Sequence, residues 1–379
     1  MKVALYNLNG DKWISPLLED MIEPYNYNLV LCFGAKYRLQ QNNLYDLTRL
    51  KFPAAQIAMV STSGEIYQNE VLDHSMIAVA LQFEKSLIKT ESVNIKDFQN
   101  SYSAAIHLAK QIQSEDLVHV LILSDGSKVN GSDLVLGLTS QINKKVLITG
   151  GLAGDGAEFK STLAGLNKQP IEGEIIAIGF YGDKLKVTHG SQGGWDIFGL
   201  EKRITNSSGN VLLEIEDQNA LELYKKYLGE EVKNLPGSAL LFPLSVTLPG
   251  SKKPIVRTIL SINEKDNSMT FAGDVPVGSV IRFMKANFEK ITMAASEAAI
   301  QTISGMDKKP DFSLLISCVG RKLILGDKTV EEVKAVEKSF NHETVMAGFY
   351  SNGEISPFQD GGNCQLHNQT MTITSYFEY

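Results

Sequence analysis

The stretch AQIAMVSTSGEI, residues 55–66, joins an apolar run to a group of small polar residues. The apolar run predicts a buried strand, and the break after Val60 places hydroxyl groups, backbone N–H groups and the Glu65 carboxylate at its end. A second stretch, VMAGFYSNGEI at residues 345–355, has the same order of a strand-like run, small polar residues and Gly-Glu-Ile. Two such stretches indicate that the chain is built from copies of one unit.

The predicted copies extend outward from these stretches, and another lies between them. In each copy an apolar strand precedes a helix, a second strand with a Gly-bearing break, and a third strand. The first strands are 28–34, 119–126 and 312–320, the helices 43–51, 132–142 and 330–340, the second strands 56–66, 145–155 and 344–355, and the third strands 76–83, 174–181 and 371–379. Further helices are predicted at 13–22, 97–113 and 288–304, after strands at 2–6, 87–95 and 279–286. The sequence therefore predicts an α/β (α+β) fold of repeated β-α-β-α-β-β-like units with layered sheets and helices.

A longer segment separates the second and third copies. Residues 185–210 are rich in turn-forming residues around Trp195, and residues 229–237 have the polar composition of a linker. Short strands are predicted beyond this linker at 239–246, 255–263 and 269–273. These features predict two domains, 1–228 and 238–379.

The composition argues against several function classes. Of the 379 residues, 43% are hydrophobic and 21% are charged, which is typical of a globular chain. The net charge of −7 argues against a nucleic-acid-binding protein, because such proteins carry basic surfaces. The first residues lack the apolar core of a signal peptide, and no stretch has the length of a membrane span. The three cysteines form no CxxC pair, so we expect a cytoplasmic protein with neither a disulfide framework nor a zinc site.

The loop Ser61-Thr62-Ser63-Gly64-Glu65 combines hydroxyls, amides and an acid at a strand end, where α/β proteins place ligands. The alternative is a tight turn whose Ser and Thr side chains bond their own backbone. The related loop from Ser351 to Glu354 favours a shared role in ligand binding.

The Gly-rich segment GGLAGDG, residues 150–156, follows a predicted strand. It lacks the Lys-Ser/Thr pair of a phosphate-binding loop, and its glycine spacing differs from the dinucleotide-binding GxGxxG. A backbone-lined pocket wall or close sheet packing is therefore favoured over a nucleotide site.

Cys318 and Arg321 lie close together in the sequence SCVGR. A nearby guanidinium would lower the pKa of the thiol, and Arg321 could hold a carboxylate or phosphate with two hydrogen bonds. The alternative is a buried structural cysteine beside a surface arginine. We expect Arg321 rather than Cys318 to be functional, and a thiol-dependent hydrolase using Cys318 is kept as an alternative function.

The six histidines show no pair at metal-ligand spacing, so we expect no metal site. His189 and His367 lie in segments that could face a cavity, and a single histidine can serve as an axial ligand of haem. Haem binding through His189 or His367 is therefore an alternative to a protein without a cofactor. No serine or cysteine has the neighbours that would complete a catalytic triad, so we expect no catalytic residue.

With these residues assembled, the chain resembles the FIST family, a bacterial sensory module with FIST N and FIST C domains. The resemblance covers most of the chain, and the ordered set of motifs carries it. The motifs are FPAA (52–55), STSGEI (61–66), GGLAGD (150–155), GGW (193–195), NALELY (219–224), Arg257, GDVPVG (273–278), SCVGR (317–321), GFYSNGEI (348–355) and HNQT (367–370).

The resemblance implies a sensory protein, not an enzyme, that binds a small molecule such as an amino acid or a small carboxylate. Because Tyr379 ends the last predicted strand, we expect no attached output domain and a separate partner, such as a histidine kinase or another signalling protein. One branch of the family binds haem and senses nitric oxide, which gives the haem alternative its function. Neither nucleic acid nor a membrane is expected as a partner.

We expect the ligand in a cleft whose walls are the Gly-bearing strand ends. Arg321 would hold an anionic group and Glu65 or Glu354 an ammonium group, because a buried charge needs a partner. The predicted ligand-binding residues are Ser61, Thr62, Gly64, Glu65, Gly151, Asp155, Trp195, Arg257, Arg321, Tyr350, Glu354, His367 and Asn368.

Overall fold

The structure is a computed structural model that describes residues 1–14, 26–41, 43–235, 237–251, 253–357 and 362–379. It has a mixed α/β architecture, which confirms the predicted fold class. The helices of the described residues are too short or too polar for any of them to span a membrane.

The element bounds follow the chain from Lys2 to Glu378. The strands are β1 (Lys2–Asn9), β2 (Lys12–Ile14), β3 (Leu29–Ala35), β4 (Gln56–Thr62), β5 (Glu65–Tyr67), β6 (Glu70–Leu72), β7 (Met76–Gln82), β8 (Leu87–Asn94), β9 (Leu117–Ser124), β10 (Leu147–Leu152), β11 (Ala164–Leu166), β12 (Glu174–Tyr181), β13 (Leu185–Gln192), β14 (Trp195–Ser208), β15 (Val211–Ile215), β16 (Gln218–Asn219), β17 (Leu244–Thr247), β18 (Pro254–Arg257), β19 (Ile259–Asn263), β20 (Ser268–Phe271), β21 (Val280–Ala286), β22 (Phe312–Cys318), β23 (Val345–Ser351), β24 (Gly353–Pro357), β25 (Cys364–His367) and β26 (Met371–Glu378). The helices are α1 (Lys36–Leu39), α2 (Leu44–Lys51), α3 (Ser101–Ile112), α4 (Gly131–Gln141), α5 (Ala220–Leu228), α6 (Phe288–Ile303), α7 (Val319–Leu325) and α8 (Thr329–Ser339). Short 3₁₀ turns occur at Ile95–Asp97, Gly229–Asn234, Gly237–Leu241 and Gly326–Lys328.

Three of the sheets share one strand order. The first runs β2-β1-β7-β3-β4-β11, the second β8-β12-β9-β10-β24-β25 and the third β13-β26-β22-β23-β5-β6. In each sheet one central pair is parallel, namely β3 with β4, β9 with β10, and β22 with β23. A parallel pair needs a crossover, and α2, α4 and α8 occupy the three crossovers.

Each of these sheets is apolar on both faces, because its inner face meets the other two sheets and helices cover its outer face. Along β9, Leu121 and Leu123 point into a core shared by all three sheets, whereas Val120 and Ile122 pack beneath α3 and α4. The shared core includes stacked rings of Phe33 and Phe349 whose centroids lie 4.9 Å apart. The three sheets are therefore held together by one continuous apolar interior.

Each sheet is also completed by a strand that belongs to a different repeat. The hairpin β5–β6 follows β4 of the first sheet but pairs with β23 of the third. The hairpin β24–β25 follows β23 but pairs with β10 of the second sheet, and β11 follows β10 but pairs with β4 of the first. The exchange closes a cycle through all three sheets.

The fourth sheet belongs to a segment inserted between β13 and α6. Residues 195–286, here called the inserted subdomain, carry the order β18-β17-β21-β14-β15-β20-β19 together with α5. The sequence predicted the strand at 279–286 as the leading strand of the third repeat, and this assignment is wrong. That position in the third sheet is taken by β13, which pairs with β26 from Leu185 to Gln192, whereas β21 pairs with β14 and β17. Both β13 and β21 have sequences that are compatible with a strand. Only the pairing with β26 shows which of them belongs to the third sheet.

The other predicted elements compare as follows. The crossover helices agree with α2, α4 and α8 to within a residue or two. The seven-residue helix α7 was not predicted, and it begins within the strand predicted at 312–320. Most of the helix predicted at 13–22 lies outside the described residues, and Trp13 belongs to β2. Position 236 of the predicted linker 229–237 also lies outside them. The second and third sheets contain strands from both sides of that linker, while the division into 1–228 and 238–379 stays a prediction.

Gly348 in β23 allows the close approach of the parallel strand β22. A Cβ atom at this position would lie 1.7 Å from the Leu315 carbonyl oxygen. We expect Gly348→Ala to lower the free energy of unfolding by about 1–3 kcal/mol, the usual range for overpacking. Gly237→Ala is the control, because an added Cβ there meets no described atom within 4 Å. Equal urea midpoints for the two variants would contradict this account.

Candidate functional site

Glu65 is buried and accepts hydrogen bonds both from its own strand-end loop and from Ser75. One carboxylate oxygen accepts a hydrogen bond from the Thr62 hydroxyl, and the other accepts from the backbone N–H and the hydroxyl of Ser75. The loop therefore connects the end of β4 to the start of β7.

Glu354 makes corresponding contacts in the third repeat. The hydroxyl of Ser351 donates to one oxygen at 2.9 Å, and the other oxygen accepts from the backbone N–H and the hydroxyl of Thr370 at 3.1 and 2.9 Å. Thr370 precedes β26 as Ser75 precedes β7. The two glutamates thus hold equivalent places relative to their strands.

Neither glutamate is available to a ligand ammonium group, which corrects the sequence expectation. Burial penalises the charged form and raises the pKa of Glu65 to about 7 and that of Glu354 to about 8, although the hydrogen bonds oppose the shift. Lys322 near Glu65 and Arg321 near Glu354 lower these pKa values only to a smaller extent. Both side chains are structural links between strands.

Arg321 is likewise an internal link rather than an anion anchor. It is fully buried, and its Nε and Nη2 atoms donate to Glu332 at 3.0 and 2.8 Å. Its remaining contacts are to the carbonyl oxygens of Gly193 and Ile291, at 2.5 and 2.8 Å. These carbonyls flank the inserted subdomain, so Arg321 fixes the backbone on both sides of it.

Tyr350 belongs to the same buried network. Its hydroxyl donates to Glu332 at 2.8 Å, and the Ser317 hydroxyl donates to that carboxylate at 3.1 Å. A buried ion pair is stable only when such bonds satisfy the remaining atoms. Tyr350 therefore supports the Arg321–Glu332 pair and does not face a ligand.

The remaining strand-end residues also have internal partners. The Ser61 hydroxyl accepts a hydrogen bond from the Leu163 backbone N–H, and the Gly64 carbonyl accepts one from the backbone N–H of Tyr350. A Cβ at Gly151 would lie 2.7 Å from the Ile316 side chain, which confirms close sheet packing there. The Asp155 carboxylate accepts three backbone N–H groups of its own loop, from Phe159, Lys160 and Ser161. These residues, together with Thr62, hold loops in place.

The motif HNQT, residues 367–370, begins at the last residue of β25, ends directly before β26 and is fully buried. Trp195, at the start of the inserted subdomain, donates its indole N–H to the Gln369 carbonyl at 2.9 Å. All four amide atoms of the Asn368 and Gln369 side chains have no hydrogen-bond partner in the part of the chain that the structure describes. Buried polar groups rarely stay unsatisfied, so this pair marks an unusual site.

The two candidate haem ligands do not fit haem in this conformation. His189 and His367 are buried, and the Nε2 atom of His367 lies 2.9 Å from the Ser356 carbonyl oxygen. Burial lowers the pKa of His367 to about 4. A haem would have to displace packed strands to reach either ring. Across the described ranges, no three His, Cys, Asp or Glu side chains group to hold a metal ion.

Cys318 has the environment of a structural cysteine. It is buried, and desolvation raises the pKa of its thiol well above the usual value, with Glu354 adding to the shift and Arg321 opposing it weakly. A reactive cysteine needs an accessible thiolate. This geometry does not favour the hydrolase alternative.

Arg257 is the predicted ligand residue that lines a large cavity. The cavity has a volume of about 660 Å³ and lies between α4 and the inserted subdomain. The Arg257 guanidinium donates from Nε to the Asp274 carbonyl at 3.0 Å and from Nη1 to the Leu366 carbonyl at 2.9 Å. Burial lowers the pKa of Arg257 to about 10, although the Asp274 carboxylate acts in the opposite direction.

A second, more polar cavity of about 380 Å³ adjoins the first, and Asp274 and Leu366 line both. It lies at the carboxyl ends of the parallel strands β9 and β10, where α/β folds commonly bind ligands. Lys128, Asn130 and Lys160 line it. The two cavities form one cleft between the second sheet and the inserted subdomain.

The family models identify the chain. The FIST N domain model matches residues 28–218, and the FIST C domain model matches residues 220–357. The chain belongs to the FIST family. FIST domains are sensory, small-ligand-binding domains of signal transduction. The FIST N match ends within the inserted subdomain, whose second part is matched by FIST C.

Other comparisons add little to the FIST assignment. No curated protein matches the chain. The crystal structure of cyanuric acid hydrolase from A. caulinodans aligns with this chain at 9% identity, over 77% of this chain and 99% of that one. The TM-score of this alignment is 0.19.

Sequence reasoning missed several residues of this FIST chain that the structure brings together. Asp274 lies in the quoted motif GDVPVG, and Gln369 lies in HNQT, but neither was selected. Glu332 stands in a helix and gives no local sign that it pairs with Arg321 across the fold. The sequence offered one signal for the cleft. Both Arg257 and Asp274, two residues of opposite charge, belong to the set of family motifs.

The raised pKa values of Glu65 and Glu354 predict a pH dependence of stability. The folded state keeps protons that the unfolded state releases above about pH 4.5, so these groups make the free energy of unfolding fall as the pH rises toward 8. The double variant Glu65→Gln/Glu354→Gln keeps neutral side chains of the same shape. We expect its urea midpoint, relative to that of the wild type, to rise between pH 5 and pH 8. His119 and His367, with pKa values lowered to about 3 and 4, oppose the trend equally in both proteins. A constant difference would refute buried, protonated glutamates.

The unpartnered amide of Asn368 predicts a stabilising substitution. An unsatisfied buried polar group costs about 1–3 kcal/mol, so we expect Asn368→Leu to raise the free energy of unfolding by a similar amount. Asn28→Leu is the matched control, because the Asn28 amide both donates to and accepts from the Phe83 backbone, and its loss should destabilise the protein. A lower denaturation midpoint for Asn368→Leu would contradict an unsatisfied amide at this position.

Proposed function

We propose that this chain senses an amino acid or a small carboxylate that binds in the cleft beside Arg257, and that a separate signalling protein reads the bound state. The observation that supports the proposal is a buried guanidinium on the wall of a cavity whose volume suits a small ligand. A histidine kinase is one class of partner with this role.

Arg257 supplies the charge that a carboxylate needs. It donates hydrogen bonds to two neutral carbonyl oxygens, of Asp274 and Leu366, which orient the guanidinium without neutralising it. An anion in the cavity would offset the cost of burying this positive charge, and a planar guanidinium can hold a carboxylate with two hydrogen bonds. Asp274, which is only partly buried, offers a carboxylate for an ammonium group.

The position of the cleft supports a population-shift mechanism. One wall is α4, which packs on the second sheet, and the other wall consists of Leu248, Ile255 and Pro276 of the inserted subdomain. A ligand that contacts both walls favours the arrangement in which they are closest. Asp274 already spans the cleft weakly, since Asn130 donates to its carboxylate at 3.4 Å. A partner that contacts both parts would distinguish the free and bound proteins.

A thermal-shift panel of amino acids and small carboxylates tests this function. We expect at least one compound to raise the unfolding midpoint, because a ligand of the folded state stabilises it by mass action. Arg257→Met should abolish this rise. Arg49→Met is the matched control, because Arg49 also donates to backbone carbonyls but lies on α2, beside the first sheet and away from the cleft, so the rise should remain.

Thr139→Trp gives a second check if Arg257→Met does not fold. Thr139 lines the cavity from a partly exposed position on α4, so a larger side chain fills the cavity without entering the core. The proposal fails if no compound shifts the midpoint, or if the shift persists in both cleft variants.

A further inference from the structure

We infer that the ligand is an α-amino acid with a large apolar side chain, bound with its carboxylate at Arg257, its ammonium group at Asp274 and its side chain in the larger cavity. This inference rests on the proposed function and narrows the ligand that the same cleft would select. Three observations carry it: the lining of the cavity, the place of the two charges, and the difference between the two compartments.

The lining of the larger cavity is mainly apolar. Nine aliphatic or proline side chains from both walls surround it: Val135, Leu136, Ile142, Val146, Ile148, Leu248, Ile255, Pro276 and Pro357. Each methylene that leaves water for such surroundings strengthens binding roughly fourfold. A polar side chain placed there would lose its hydration, so the lining selects against it.

The charges stand at one boundary of this lining. Asp274 and Leu366 line both compartments, and Arg257 donates to the backbone of each of these two residues. An amino acid with its two charged groups at this boundary would direct its side chain into the apolar compartment. The polar compartment beyond, with Lys128 and Lys160, would stay open to water.

Asp274 supports an ammonium group specifically. A second carboxylate, that of Asp133 on α4, lies close by: burial first, and then the charge of Asp274, raise the pKa of Asp133. A cation between α4 and Asp274 relieves this repulsion, whereas a keto acid of the same shape offers none. An amine without a carboxylate would leave Arg257 without an anion.

Isothermal titration of the full chain tests the inference with five compounds. We expect leucine to bind about 60-fold more tightly than alanine, from three further buried carbon atoms. Glutamate should bind weakly because its side chain is charged. The keto acid 4-methyl-2-oxopentanoate and the amine 3-methylbutylamine, which each lack one charge of leucine, should bind at least tenfold more weakly than leucine.

Two substitutions separate the charge and the apolar contributions. Asp274→Asn should weaken the binding of leucine at least tenfold and leave the affinity for the keto acid unchanged, because only leucine carries the ammonium group. Leu136→Lys should weaken the binding of leucine, because it places a charge at the cavity. Leu136 is 58% exposed, so the substitution does not enter the core. Leu50→Lys, on the exposed face of α2 and away from the cleft, should not.

The outcomes distinguish this inference from the function on which it rests. Alanine or glutamate binding as tightly as leucine overturns the apolar assignment while the sensory proposal stands. An equal loss of leucine and keto-acid binding in Asp274→Asn overturns the role of Asp274. Binding by none of the five compounds, nor by any of the wider panel, overturns both.

Discussion

The exchange of edge strands among the three sheets is the constraint on which the structure depends. Each parallel pair would end at an open edge, with unpaired backbone N–H and carbonyl groups. In every case the edge is covered by a strand that follows the corresponding pair of a neighbouring repeat. No repeat can complete its sheet from its own residues, and the interior that the three sheets share forms only when all are present. The large sequence separation of these pairings predicts slow, cooperative folding.

The buried polar residues serve this same exchange. Thr62 to Glu65 and Ser351 to Glu354 lie where the chain leaves one sheet and enters another, and their side-chain bonds replace the backbone bonds that a continuing strand would make. The Arg321–Glu332 pair acts similarly at the inserted subdomain. Such networks cost desolvation but fix one geometry among several alternatives. The cleft proposed to bind the ligand lies apart from them, where the walls come from two separately packed cores.

Local patterns predicted most of the elements, because the copies combine strand-like runs with well-spaced helices. The crossover helices α2, α4 and α8 are examples. Pairing could not be predicted in the same way. β13 and β21 both have strand-like sequences, and their sheets are decided by partners far along the chain. For the site, the sequence favoured Arg321 in SCVGR as the anion anchor, and nothing in it favoured Arg257, which belongs to the family resemblance as well. Only tertiary structure shows that one meets Glu332 while the other lines a cavity.

The inserted subdomain begins and ends at paired residues. Trp195 at the start of β14 lies directly opposite Ala286 at the end of β21. The polypeptide therefore leaves the three-sheet body and returns to it at nearly one point, and Arg321 holds the backbone next to both crossings. A module attached through adjacent ends can be exchanged without rethreading the body. The three-sheet body is thus a host scaffold, and recognition could diversify by grafting different segments at this single junction.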